Sequence, residues 1–423
     1  MVVSPGFRVF VGEVVTGKIT ATLPVEKQSW GQRINGPGTV QATLPATAKE
    51  YRNLSLSAAT EPKRQFLGIA YGDQILECGP IWKRRYRRAT GKTELIGAGL
   101  WSLLDKTKAL NWAQISAGVA VTRTGIDLTG LSRGSIAREL IRISIETNPN
   151  NPGLPIVLPP LVAGTHERHY EGYKLPWLGD LLKKLTESQG GPDIALRPRF
   201  KPSDPTYVEW VLMHGTEADP ILHQTGADWP WDGTVEGSGV SVFDTDDDAT
   251  GMADRVWQPG AGSEVDMKLA TAASTELIGR AGYPWTEQDS ASKDIEDAGI
   301  LQDLADAGLA AGSRPVESWG VQVRAELAPK LGTYNPGDFA QITVARGHPF
   351  IPAGKRRVRI MAIDGDGSLN VKLTPAPLAS QLGGTGYGES LTSLDPSQLI
   401  YPGAGLFPGP TTHTGIGYSR TEL

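Results

Sequence analysis

Gln74-Ile-Leu-Glu-Cys-Gly-Pro-Ile-Trp-Lys-Arg-Arg-Tyr-Arg-Arg88 runs into Ala89-Thr90-Gly91-Lys92 and returns through Thr93-Glu-Leu-Ile-Gly-Ala98. Two apolar-rich runs separated by a short glycine-containing turn read as paired antiparallel strands. The same signature extends towards the N-terminus. Ile19, Ala21 and Leu23 interleave with Thr20 and Thr22, and Val40, Ala42 and Leu44 with Gln41 and Thr43. A period of two marks strands with one face buried, and Gly36-Pro37-Gly38 and Tyr71-Gly72-Asp73 punctuate them as turns. Residues 1–115 are therefore expected to form an antiparallel β-barrel domain.

The pattern returns near the other end. Trp319, Val321, Val323, Ala325 and Leu327 alternate with Gln322, Arg324 and Glu326; Asn335-Pro-Gly-Asp338 turns; Val358, Ile360 and Ala362 alternate with Arg357 and Arg359; Asp364-Gly-Asp-Gly367 turns again. This predicts a second β-barrel domain over 316–375. The two regions share an order: Gly72-Asp73 precedes Lys83-Arg84-Arg85-Tyr86-Arg87, and Gly337-Asp338 precedes Lys355-Arg356-Arg357-Val358-Arg359. The longer spacing in the second accommodates the loop Gly347–Pro352, so a duplicated unit is expected.

Between them, 116–315 reads as an inserted α+β region, whole or as subdomains near 116–200 and 201–315. Ile136, Leu140 and Ile143 have helical spacing behind a Ser132 or Ser135 cap, with a stop at Asn148-Pro149. Leu178, Leu181, Leu182 and Leu185 share a face between Pro176 and Gly190-Gly191. A third helix is expected over about 294–311, opened by Asp294, Glu296 and Asp297, acids that suit a helix N-terminus. Residues 376–423 form a Gly/Pro-rich tail. With 51 Gly and 31 Pro in 423 residues, long helices would be costly, and the fold class is α+β, multidomain.

Composition and motifs exclude more than they assign. A single cysteine, Cys78, leaves no intrachain disulfide or Cys-based zinc site. A net charge of −5 argues against a dedicated nucleic-acid binder. The start lacks a basic, apolar signal segment, and apolar runs fall short of the roughly 18 residues of a membrane span. Synthesis in a cytoplasm is thus expected. Gly91-Lys92-Thr93 has Tyr86 where a phosphate loop needs glycine. His166 and His169 are three apart, where a zinc-binding helix needs four. Asp244–Asp248 lacks the glycine and glutamate of a calcium loop, having Ala249 and Arg255 there. No catalytic, cofactor-binding or metal residue is assigned.

Two features remain as candidates. Trp229 and Trp231, beside Asp228 and Asp232, suit either interior packing or a glycan or partner contact; with Asp244 and Asp246 these carboxylates are the candidates for a cell-wall hydrolase. Lys83, Arg84, Arg85, Arg87 and Arg88 lie on one strand, so alternation sends Arg85 and Arg87 to one face and Arg84 and Arg88 to the other. With Lys355, Arg356, Arg357 and Arg359 they are candidate subunit or lumen contacts. The hairpin is either a charged edge protected from stray pairing or a positive rim facing acidic protein or a passing polyanion.

The order of several short segments resembles minor tail proteins of siphophages that infect actinobacteria. The carriers are Gly17-Lys-Ile-Thr-Ala-Thr-Leu-Pro24, Ser29-Trp30, Ile34-Asn-Gly-Pro-Gly38, Tyr71-Gly-Asp73 through Gly79-Pro-Ile-Trp82, and Leu95–Leu100. Arg168-His-Tyr-Glu-Gly-Tyr173, Leu178-Gly-Asp-Leu-Leu182, Gly190-Gly-Pro-Asp-Ile194 and the strands near 337–363 continue it. The resemblance covers roughly 1–375 and implies a structural virion protein, not an enzyme. It implies a homotrimeric tail-tip or baseplate hub whose two tube-like barrels per subunit match a sixfold tube to a threefold tip. Partners implied are the distal tail and tail-tube proteins, the tape measure protein, receptor-binding or other minor tail proteins, and phage DNA in transit. A glycan-binding or cell-wall-hydrolysing tail-tip protein is the alternative.

Overall fold

The computed structural model describes residues 6–45, 55–151, 153–188, 190–235, 239–275, 283–289, 295–313 and 315–377. The expected C-terminal tail lies outside these residues, apart from its first two. The N-terminal part holds strands β1 (Phe7–Glu13), β2 (Ile19–Thr22), β3 (Lys27–Arg33), β4 (Thr39–Pro45), β5 (Gln65–Tyr71), β6 (Gln74–Arg87) and β7 (Lys92–Ala98). The middle adds β8 (Gly125–Leu131), β9 (Ile156–Val157), β10 (His166–Glu171), β11 (Ile194–Lys201), β12 (Asp204–His214), β13 (Trp229–Asp232) and β14 (Val240–Asp248). Then come β15 (Arg255–Pro259), β16 (Leu269–Ala273) and β17 (Glu287–Asp289), followed by β18 (Val316–Arg324), β19 (Phe339–Val344), β20 (Gly354–Gly365) and β21 (Asn370–Pro377).

The chain divides into two compact units. One is built from residues up to Asp248 and again from Glu317; the other is Ala249–Val316. In the second unit β15 pairs antiparallel with β16 and parallel with β17. Helix Ala298–Gly312 buries Leu301 and Ala305 against Ala270 and Ala272. Its cap is Asp297, whose carboxylate accepts the Ile300 N–H.

In the first unit the two barrels read from the sequence are not separate closed bodies. Their strands join in one 13-stranded sheet, ordered β14-β18-β21-β20-β3-β4-β7-β6-β5-β1-β2, with β13 and β19 attached beside β20. The reason is strand length. β20 has twelve residues, more than one neighbour needs: Gly354–Arg359 pairs with β19, and beyond a bulge Ala362–Gly365 pairs with β3. Arg33 on β3 and Asp364 on β20 seal that seam with an ion pair at 2.7 Å.

Strand β6 makes a similar change of partner. Gln74–Pro80 pairs with β5, whereas Ile81–Arg87 pairs with β7. The switch falls at Gly79-Pro80. Proline offers no N–H to extend a ladder, and Gly79 lets the Ala98 carbonyl oxygen come so close that a Cβ there would sit 1.9 Å from it. The sequence repeat is accordingly not like for like. Lys83–Arg87 occupy the far half of one long strand, but Lys355–Arg359 open a return strand, because the chain reverses between β19 and β20.

The main core draws on both β regions at once: Trp30, Val40, Leu44, Ile81 and Leu95 pack with Trp319, Val321, Ile342, Ile360 and Val371. A second core holds helices Arg133–Ile145 and Leu178–Glu187 through Ile136, Leu140, Leu178 and Leu182. Ser132 caps the first of these by accepting the Ser135 N–H. Phe10, Phe66, Cys78 and Trp210 form a third, where the Trp210 Nε1–H donates to the Cys78 carbonyl at 3.0 Å.

Candidate functional site

A buried polar constellation lies inside the first unit. Arg359, on β20 and 4% exposed, forms an ion pair with Asp193, 1% exposed, just before β11. Its Nε donates to the Gly337 carbonyl at 3.1 Å and its Nη2 to the Leu222 carbonyl at 3.2 Å. Asp193 also accepts from the Asn35 Nδ2 at 3.0 Å and the Leu222 N–H at 2.8 Å. Asn35 stands at φ 60°, in the left-handed region that asparagine tolerates, and its Oδ1 accepts the Ile194 N–H at 2.7 Å.

Next to this pair, Arg197 of β11 donates to the Pro336 carbonyl at 2.8 Å. Burial pulls the Arg197 guanidinium down from its usual range, against the opposing pull of Asp338 and Asp193. Asp338 is buried and pushed up by that burial, although it accepts from the Trp229 Nε1–H at 3.0 Å and the Asn335 N–H at 2.9 Å. Four stretches meet here: the β3–β4 turn, the start of β11, the segment from Leu222 to Trp229, and the β19–β20 pair with the turn before it. Each carboxylate is occupied by donors, and the chemistry available is cohesion. Buried charges persist only when paired and hydrogen-bonded in this way.

Some residues nominated from the sequence belong to this region. Arg357 makes a two-pronged contact with Asp228, 2.7 Å and 3.0 Å, and lies 4.1 Å over the Phe339 ring. Arg356 donates to the Lys355 and Pro352 carbonyls at 3.1 and 2.8 Å; the Lys355 side chain is exposed. Trp229 and Trp231 sit on β13, parallel to β19. Trp231 is 4% exposed and meets Tyr334 edge-on at 5.1 Å, leaving no open ring face.

Lys83, Arg84, Arg85, Arg87 and Arg88 are elsewhere, on an exposed hairpin tip four strands along the sheet from β20. Arg87 and Arg85 reach Glu94 across the hairpin at 2.7 and 3.7 Å, and Arg84 donates to the Ser57 carbonyl at 2.7 Å. Gly91, at φ 64°, makes the reversal. β5 stops pairing with β6 at Pro80, so among the described strands the basic stretch Lys83–Arg87 is paired with β7 alone. The bulge between Ile81 and Lys83 resets the alternation before the basic run begins. His166 contacts Glu217 at 3.0 Å and His169 contacts Asp127. Among the described residues, no group of three or more His, Cys, Asp or Glu is placed to hold a metal. Nor does any described helix have the length and apolarity to cross a membrane.

One buried carboxyl stands apart from these pairs. Glu77, near the start of β6, accepts the Cys78 N–H at 2.9 Å and is pushed up to about 8 by burial. The folded chain thus holds a proton that the unfolded chain releases near 4.5. Its contribution to stability is complete below that pH and lost as pH rises through about 8. Thermal unfolding followed from pH 5 to 8 is expected to show a falling Tm that Glu77→Gln flattens. An identical slope in the variant would refute the assignment.

No family profile matches the chain, and no curated protein does. Solved structures do. A tail protein from Neisseria meningitidis MC58 is 14% identical, with a TM-score of 0.51 over 88% of this chain and 96% of that one. The 43 kDa tail protein of prophage MuSo2 from Shewanella oneidensis is 10% identical, with a TM-score of 0.54 over 88% of this chain and 98% of that one. The fold is one that phage tail proteins have.

Proposed function

We propose that this chain is a structural protein of a phage tail, the homotrimeric hub at the distal end that adapts a sixfold tube to a threefold tip. The observation carrying this reading is the extent of the fold likeness, which takes in 88% of this chain and nearly the whole of two tail proteins. The interior supports a structural, non-enzymatic role, because its buried charges are spent on tying chain segments together. In this reading the protein is made in the host cytoplasm and incorporated in the virion at the tail tip. It seats on distal tail and tail-tube proteins, meets the tape measure protein and carries receptor-binding or other minor tail proteins. Phage DNA passes through during ejection, and no membrane span is needed.

Three subunits in a ring require one surface of each copy to meet a different surface of the next, closing after three steps. Native mass measurement is expected to give three times the 45.2 kDa of one chain, and negative-stain images a threefold ring. A monomer at micromolar concentration would overturn the hub.

A further inference from the structure

We propose that the basic tip of the β6–β7 hairpin grips the acidic strand β14 of a second copy of this chain. The inference rests on the trimeric reading and names the contact that holds the ring. The tip carries Lys83, Arg84, Arg85, Arg87 and Arg88 against one carboxylate of its own, Glu94, while Lys92 at its base is paired with Glu26 at 2.6 Å. Tyr86, 61% exposed, stands among them. Exposed arginine around an exposed tyrosine is the composition of a protein-contact hot spot, and a protein surface of opposite charge is present on the chain itself.

The matching surface is on the same chain. β14 ends the long sheet and reads Val-Ser-Val-Phe-Asp-Thr-Asp-Asp-Asp, with no Lys or Arg. Asp244, Asp246, Asp247 and Asp248 are exposed. Alternation puts Asp244, Asp246 and Asp248 on one side about 7 Å apart, the repeat that also spaces Lys83, Arg85 and Arg87. Six strand spacings separate β14 from β7, about 29 Å along the sheet. A contact between tip and strand of different copies is therefore head-to-tail, the kind that closes a ring. Opposed charges of this kind fix register and partner choice, and are weakened by salt.

The test compares full-length chains by native mass. One carries Lys83→Glu, Arg85→Glu and Arg87→Glu, one Asp244→Lys, Asp246→Lys and Asp248→Lys, and one all six, each checked for an unchanged circular dichroism spectrum. Each set alone is expected to weaken the trimer about tenfold or more, and the chain with all six to regain it. A wild-type trimer that neither set weakens would overturn this contact and leave the hub standing. A wild-type monomer would remove both. Loss of duplex DNA binding with the trimer intact would assign the tip to a polyanion instead and overturn the proposal.

Discussion

Asp193→Ala is expected to be among the most destabilising single changes in the protein, costing about 3–5 kcal/mol because it strands the buried Arg359 guanidinium. Arg359 would keep only the Gly337 and Leu222 carbonyls, and neutral acceptors compensate a buried cation incompletely. Asn35 and the Leu222 N–H would lose their acceptor in the same step. Urea unfolding would register this as a lower midpoint with an unchanged slope. The paired replacement Asp193→Leu with Arg359→Met removes both charges and is expected to recover most of the loss, as apolar substitutes for buried ion pairs often do. A single variant with a wild-type midpoint would show that the junction is not under load.

Trp231→Ala is expected to cost about 3–5 kcal/mol, the usual penalty for emptying a large aromatic site in a core. Trp231 and Tyr334 both belong to the main core, their rings edge-on at 5.1 Å. Trp231→Phe keeps part of the edge-on contact and should lose roughly half as much. The glycan alternative makes the opposite demand: Trp231→Ala would leave Tm unchanged and abolish retention on host cell-wall glycans. One variant, measured both ways, separates the two.

Local order was largely legible. The hairpin expected over Gln74–Ala98 matches β6 and β7 almost to the residue, because alternation and a glycine turn are local signals. The Ser132 cap and the Leu178–Leu185 face were legible for the same reason. The helix expected over about 294–311 begins at Ala298, with Asp297 as its cap.

What escaped the sequence is pairing at a distance. Nothing in Ile34-Asn35-Gly36 or Pro192-Asp193-Ile194 says that they meet, or that Arg359 joins them. Nor can alternation distinguish the two basic runs. Arg359 is buried because a carboxylate 166 positions earlier is there to receive it, whereas Lys83 and Arg85 point to water. The merging of two expected barrels into one sheet has the same origin, since a strand's length is visible in sequence and its choice of neighbours is not.

The seam between β3 and β20 has a consequence for how the protein is made. Trp30 leaves the ribosome early, but the strand that flanks it is translated more than three hundred residues later. Until then the nascent chain carries an unzipped edge next to a large indole, a surface prone to mispairing. Completion of the fold therefore belongs to the last stage of translation, and cutting the chain after the first β region would leave half a seam with nothing to close it.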